Sequence, residues 1–332
     1  MAAQRIFITG ATGFVGRHLV KHFLSIGQPL TVTLREASSC PRSWRNHERI
    51  KFVVTGPIET ATNLGEALES ASIVVHLAGL AHVQATAETA DRFIAANATA
   101  TERIAKAAAD RGVQTFIHMS SLAAITQNAS SAIVDDNTSN PPPTPYGRAK
   151  LEAEKYVLDL RDKGILAISL RPPLVVGAEA KGNWGALQRL AATGLPLPFA
   201  SISNKRSLIG IGSLVGAIGH LCTGQWSQEK SGNYCISDEE SLSLPRIVTE
   251  LRRGMHIPPR LFYFPTAAFH AIGRAVNRQQ MVAGLLSDLQ VDSSRFHTTF
   301  GFKQPQSLVA SITESGMRYR QLLPDSSGVT ST

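Results

Sequence analysis

Short apolar runs rich in β-branched residues alternate with longer amphipathic stretches through the first half of the chain. The pattern predicts strands at residues 5–9, 30–34, 51–55, 73–77, 115–119 and 165–170. Helical periodicity predicts helices over residues 13–25, 90–111 and 146–160. This alternation is typical of a parallel sheet covered on both faces, so the predicted class is α/β with a doubly wound sheet.

Regularity weakens in the second half of the chain. Residues 128–145 are rich in Ser, Asn, Asp and Pro and are predicted to form a loop, and Gly and Pro recur between residues 172 and 212. A chain of 332 residues exceeds the usual size of one core. We therefore predict an α/β domain over residues 1–170. Residues 171–332 are predicted to form mainly a smaller lobe, with part of about 205–240 returning to the sheet.

Composition and charge exclude several classes of protein. The 43% hydrophobic and 17% charged residues are ordinary globular values. The net charge of +8 comes from Lys and Arg spread without a dense run, so nucleic acid is not an expected partner. The positive charge suits an anionic small molecule, or it is a merely solvated surface. Apolar runs are too short to span a bilayer, so no integral membrane segment is expected.

The cysteines and histidines predict neither disulfides nor a metal site. Cys40, Cys222 and Cys235 lack CxxC spacing, and no basic segment followed by an apolar stretch opens the chain. A cytoplasmic protein is therefore expected. The histidines His76, His82 and His118 lack the spacing and acidic neighbours of a metal centre.

A glycine motif follows the first predicted strand and opens the first predicted helix. Gly10, Gly13 and Gly16 form GxxGxxG there, which allows a tight turn, close approach of a pyrophosphate, and close packing of helix on strand. The alternative is a glycine-rich turn with no ligand. Arg35 follows the second strand, where an acidic residue would hold the ribose of NAD. Its guanidinium favours the 2′-phosphate of NADP, although Glu36 leaves NAD open.

Tyr146 and Lys150 are spaced i, i+4, which places both side chains on one helix face. The phenol needs a nearby cation to act as an acid or base near neutrality, and Lys150 supplies one. Ser121 follows the fifth strand and provides a hydroxyl for the reacting oxygen. Alone, YxxxK is a weak signal and is more often just an exposed helix surface. With the glycine motif, the set predicts hydride transfer at a carbonyl or alcohol.

The motifs ITGATGFVG, HLAG, NATAT, HMSS, YGRAK and RPPLVVG run along the chain. With them the chain resembles the extended short-chain dehydrogenase/reductases of the NAD-dependent epimerase/dehydratase group, which implies a Rossmann fold, NAD(H) or NADP(H), and a homodimer. The resemblance implies that Lys150 also binds the nicotinamide ribose and that Asn97 lies beside the cofactor. Pro57 stands where relatives often carry an adenine-contacting Asp. The remaining cofactor contacts it implies are Phe14, Val15, Ile58, Leu77, Ala78, Gly79 (an Ala in most relatives), Tyr146 and Pro172.

The second half resembles segments that grip a nucleotide-diphosphate sugar in this group. The resemblance places Asn183 near the nucleotide, Leu197 and Phe199 beside uracil, and Arg206 on the diphosphate; a plain surface arginine is the alternative for Arg206. The sugar itself would contact Ser121 and Tyr146.

RPPLVVG carries Leu174 where epimerases commonly have an Asn. The PLPFAS, KRSL and VDSSR segments look more like those of bacterial 4-keto-reductases of polysaccharide (O-antigen) biosynthesis. These convert UDP-4-keto-6-deoxy-N-acetylglucosamine to UDP-N-acetylquinovosamine. The alternatives are a UDP-hexose 4-epimerase with tightly bound NAD and a non-catalytic NADP-binding redox sensor, which would not need Ser121, Tyr146 and Lys150 together.

Overall fold

One seven-stranded sheet organises the fold. The computed structural model describes residues 5–323 except 82, 84–85, 128, 276–283 and 285. The strand order is β7-β6-β5-β4-β1-β2-β3, and every neighbouring pair is parallel. The predicted doubly wound α/β class is confirmed. The strands are β1 (Arg5–Thr9), β2 (Leu30–Leu34), β3 (Ile50–Val54), β4 (Ala71–His76), β5 (Thr115–Met119), β6 (Leu166–Arg171) and β7 (Gly232–Cys235).

Helices cover both faces of this sheet and build the lobe beyond it. They are α1 (Phe14–Ser25), α2 (Leu64–Ala67), α3 (Ala87–Phe93), α4 (Ala100–Asp110), α5 (Pro145–Leu158), α6 (Gly182–Ala192), α7 (Ile211–Thr223), α8 (Leu244–Gly254), α9 (Thr266–Ala275), α10 (Ser294–Phe300) and α11 (Leu308–Leu322). A π-helical turn, Ile94–Thr99, joins α3 to α4, so the helix predicted over residues 90–111 is interrupted.

Short elements complete the chain trace. Two-residue strands pair Val175–Val176 with Ile209–Gly210 and Arg206–Ser207 with Ser241–Leu242. The 3₁₀ turns are Ala37–Ser39, Arg42–Trp44, Leu122–Ala124, Asp159–Lys163 and Gln228–Lys230. None of the helices that the structure describes is long and apolar enough to cross a bilayer.

Alternating strand residues supply two separate hydrophobic cores. Ile8 and Val75 face the cluster that includes α1 and α7, whereas Phe7, Val74 and Phe116 face the cluster beneath α2 and α4. All five side chains are fully buried. Because helices cover both faces, central strands read as near-continuous apolar runs. In the central strands this arrangement buries the middle of each strand, and the candidate chemistry lies at the carboxyl ends of the strands.

Candidate active site

The turn after β1 is shaped to receive a phosphate. Gly10 has φ +68°, and a Cβ there would lie 2.7 Å from the backbone N of Ala78. A Cβ on Gly16 would lie 2.3 Å from the Gly10 carbonyl oxygen, so α1 packs directly on the turn. No side chain caps α1, and its first turn carries no acidic residue. Its leading N–H groups can therefore serve an anion, which fits the pyrophosphate of a dinucleotide.

The segment after β4 is clamped by Asn97, which is fully buried in the π-helical turn. Its Oδ1 accepts from the Leu80 N–H at 3.2 Å, and its Nδ2 donates to the carbonyls of Leu80 at 3.1 Å and Phe93 at 3.0 Å. A Cβ on Gly79 would lie 2.5 Å from that Oδ1. Single π turns inside helices often mark functional sites. Here the turn holds the predicted cofactor segment Leu77, Ala78 and Gly79 in place.

Local sequence fixes the start of α5 against the segment after β5. Thr144 caps the helix by accepting from the Gly147 N–H at 3.0 Å, and Pro145 occupies the first turn. A Cβ on Gly147 would lie 2.2 Å from the Ala123 carbonyl oxygen, so only glycine allows this approach. The approach places the Tyr146 phenol near Ser121, whose hydroxyl acts to lower the pKa of the phenol.

Lys150 lies one turn further along the same helix face. Its side chain is buried, and Nζ donates to the Met119 carbonyl at 2.7 Å. Burial lowers the pKa of Lys150 to about 8, against the opposing effect of Glu154. Burial raises the pKa of Tyr146, and the hydrogen bond from Ser121 acts in the opposite direction. The site therefore holds a protonated phenol beside a lysine that titrates near physiological pH.

A buried ion pair stands behind these residues, and sequence reasoning did not identify it. Glu154 accepts from Arg171 Nε at 2.8 Å and Nη2 at 2.7 Å, and from Ser120 Oγ at 2.5 Å. The available signals were the spacing of Glu154 four residues after Lys150 and the Arg that begins RPPLVVG.

The other predicted cofactor residues lie around this edge of the sheet. Arg35 is exposed immediately after β2, and the neighbouring Glu36 accepts a hydrogen bond from Ser38 at 3.1 Å. The Pro172 carbonyl accepts from the Leu122 N–H at 3.2 Å. Ile58 packs in the cluster beneath α2 and α4. Phe14 and Val15 are half-buried in the first turn of α1. Their contacts with a cofactor stay predictions.

The predicted substrate residues occupy different environments. Asn183 is exposed in the first turn of α6. Leu197 and Phe199 are each 5% exposed and pack in an apolar cluster with α8. Arg206 Nη1 donates to the carbonyls of Gly284 at 2.7 Å and Ser287 at 3.0 Å. The substrate roles of all four residues stay predictions.

The histidines next to the site are buried and neutral. His76 Nδ1 bonds Thr9 Oγ1 at 2.7 Å, and His118 Nδ1 bonds Ser169 Oγ at 3.2 Å. Burial, with a smaller effect of Lys150, lowers the pKa of both rings, that of His76 to about 3. Within the described residues, no group of His, Cys, Asp and Glu could hold a metal ion. His82 lies outside those residues.

The doubly wound sheet, the glycine turn and the Ser–Tyr–Lys set define an NAD(P)-binding α/β protein of the Rossmann type. The chain belongs to the NAD dependent epimerase/dehydratase family, whose model matches residues 6–224. This confirms the family resemblance and the expected nicotinamide cofactor.

Individual relatives include both epimerases and reductases. A UDP-glucose 4-epimerase from Vibrio cholerae is 32% identical over 333 residues, covering 96% of each chain. A ceramide reductase from Caulobacter vibrioides is 30% identical over 217 residues, covering 65% of this chain and 60% of that protein. A Bacillus cereus UDP-glucuronic acid 4-epimerase, solved with UDP-glucuronic acid and NAD, superposes with a TM-score of 0.76 at 18% identity. It covers 96% of this chain and 100% of that one.

Proposed function

We propose that the protein reduces a nucleotide-linked 4-keto sugar with NADPH or NADH. The best candidate is conversion of UDP-4-keto-6-deoxy-N-acetylglucosamine to UDP-N-acetylquinovosamine. The observation that carries the proposal is the half-buried Tyr146 phenol, which burial keeps protonated and which lies near Ser121, one helical turn from Lys150. A phenol that keeps its proton at neutral pH is suited to donating it to a new alkoxide.

When bound at the glycine turn, a reduced nicotinamide would supply the hydride that the sugar C4 takes up. Tyr146 gives its phenolic proton to the carbonyl oxygen as the C=O bond becomes CH–OH. The Ser121 hydroxyl donates a hydrogen bond to the same oxygen. The Lys150 cation stabilises the phenolate that remains on Tyr146. Proton uptake from solvent then restores Tyr146. The fully buried helix face around Ala149 and Ala153 keeps the set rigid.

Leu174 supports reduction over epimerisation. It is half-buried against the apolar cluster that contains Val176 and Trp184. An epimerase must keep its keto-sugar intermediate bound while the sugar ring rotates in the site. A hydrogen bond from the protein to the sugar diphosphate helps to keep the intermediate bound. An apolar side chain at this position donates no hydrogen bond. We further propose that Asn183, Leu197, Phe199 and Arg206 lie along the nucleotide path.

The test is a panel of UDP-4-keto sugars and UDP-hexoses, each with NADPH and with NADH, followed by product identification. We expect loss of absorbance by the reduced cofactor only with a keto sugar. Tyr146→Phe should abolish turnover while cofactor binding remains. Tyr156→Phe is the matched control, because it removes a phenol from the same helix. Near-normal turnover in Tyr146→Phe would show the mechanism to be wrong.

A UDP-hexose 4-epimerase is the second candidate, favoured by the Vibrio cholerae relative whose match covers 96% of this chain. Purified protein that carries oxidised cofactor and interconverts UDP-hexoses with none added would favour it. The intact Ser121, Tyr146 and Lys150 argue against a third candidate, a non-catalytic redox sensor.

We also propose that the protein is a cytoplasmic homodimer, as the family resemblance implies. Light scattering coupled to size exclusion tests the dimer, and a monomer at micromolar concentration would contradict it.

A further inference from the structure

Glu154 is an unusual residue in the interior of this protein. It is 1% exposed, and both carboxylate oxygens are engaged by Arg171, which is 4% exposed. Arg171 also donates to the Asp136 carbonyl at 3.2 Å. Replacing a buried ion pair with apolar side chains often leaves a protein as stable or more so. A contribution to the stability of the fold is therefore a poor explanation for the presence of the Glu154–Arg171 pair.

The pair contacts the elements that carry the candidate catalytic residues. Ser120, which donates to Glu154, directly precedes Ser121, and Met119, which accepts from Lys150, directly precedes Ser120. Glu154 itself lies one helical turn after Lys150 on α5. The carboxylate thus binds the Ser120 side chain of the segment after β5, and it lies on the helix whose approach to that segment defines the site.

The charged and titratable groups around Lys150 are few in the part of the chain that the structure describes. Glu154 and the Tyr146 phenol lie on its own helix, and His76 of β4 and His118 of β5 interact with it electrostatically. Both histidines are neutral. Arg171 from β6 stands behind the carboxylate. Glu154 is therefore the anion that supports the Lys150 cation in a buried site.

We propose that the Glu154–Arg171 pair is a positioning pair with two roles. It keeps Lys150 charged beside Tyr146, and through the hydrogen bond from Ser120 it holds the neighbouring Ser121 in place. Arg171 fixes the carboxylate by two parallel hydrogen bonds, so that the anion stays in one place relative to Lys150. The role of the pair in catalysis rests on the proposed proton transfer from Tyr146. The effect of the pair on the charge of Lys150 can be measured without any substrate.

The groups around Lys150 decide in which direction its pKa should shift when Glu154 is replaced. Burial lowers the pKa of Lys150 to about 8, and Glu154 opposes that effect. Removing the carboxylate leaves burial unopposed and leaves the Arg171 cation uncompensated. Both changes make the charged lysine less favourable, so its titration should move to lower pH.

The experiment follows the ¹³Cε signal of Lys150 by NMR in ¹³C-lysine protein as pH is raised, with Lys150→Arg used to assign it. The wild-type midpoint is expected at about 8. Glu154→Gln should lower it by about one unit or more. Glu152→Gln should leave it unchanged, because Glu152 is on the same helix but pairs with Lys155 at 2.7 Å and its side chain is 43% exposed.

A second variant covers the possibility that Glu154→Gln does not fold. The double variant Glu154→Gln/Arg171→Met removes both buried charges, and the Lys150 midpoint should again fall because its supporting anion is gone. A midpoint that stays at the wild-type value in whichever variants fold would overturn the proposal. If no sugar supports reduction by the wild type, the proposed function fails while the titration still decides this inference.

Discussion

Replacing Gly147 by alanine tests the contact that assembles the site. The new Cβ would lie 2.2 Å from the Ala123 carbonyl oxygen and 2.8 Å from Pro142 Cβ, whereas ordinary contacts begin near 3.4 Å. A backbone oxygen cannot rotate out of the way as the end of a flexible side chain can. The start of α5 must therefore move away from the segment that carries Ser121 by about 1 Å.

Two effects of this change oppose each other in the free energy of unfolding. Alanine in place of glycine in a helix stabilises by about 0.5–1 kcal/mol. Overpacking a close contact costs about 1–3 kcal/mol. From the middle of each range, Gly147→Ala should therefore lose about 1 kcal/mol of stability. A displacement of about 1 Å between reacting groups can lower a rate about 100-fold, and that loss is expected for turnover.

Urea unfolding and the rate of NADPH oxidation with a 4-keto sugar measure the two losses. Gly216→Ala is the matched control: it is also a helical glycine, in α7, but its Cβ would meet no atom closer than 3.7 Å. That variant should gain about 0.5–1 kcal/mol and keep its rate. If Gly147→Ala matched wild type in both stability and rate, the contact would not hold Ser121 against Tyr146.

Three further outcomes follow from the site. Gly16→Ala should lose cofactor binding in a fluorescence titration, because its Cβ would lie 2.3 Å from the Gly10 carbonyl; binding within twofold of wild type would contradict this. Arg35→Ala should raise the KM for NADPH about tenfold and leave that for NADH unchanged, and equal effects on both would remove the basis for an NADP preference. The reduction rate should fall as pH rises through about 8, where Lys150 loses its proton and no longer supports a Tyr146 phenolate; a rate flat to pH 10 would contradict this.

The central strands and the glycine turn could be predicted because their signals are local. A strand buried on both faces is an apolar run wherever it lies, and β1, β2 and β5 match their predicted bounds. The π-helical turn could not be predicted, because its residues have the same periodicity as the helices on either side. It forms where Asn97 reaches the Leu80 backbone, a contact between elements that no local pattern records.

Parallel topology explains why Ser121, Tyr146 and Lys150 could be placed together from sequence alone. The carboxyl ends of parallel strands meet at one edge of the sheet, so a serine after β5 and a helix leading into β6 must be neighbours there. Glu154 and Arg171 lie at the same edge, but sequence cannot show that a charged pair is buried. A glutamate on an amphipathic helix is normally solvated. The three-dimensional packing that buries both groups, to which the segments of Ser120 and Asp136 contribute, is what gives their charges influence over Lys150.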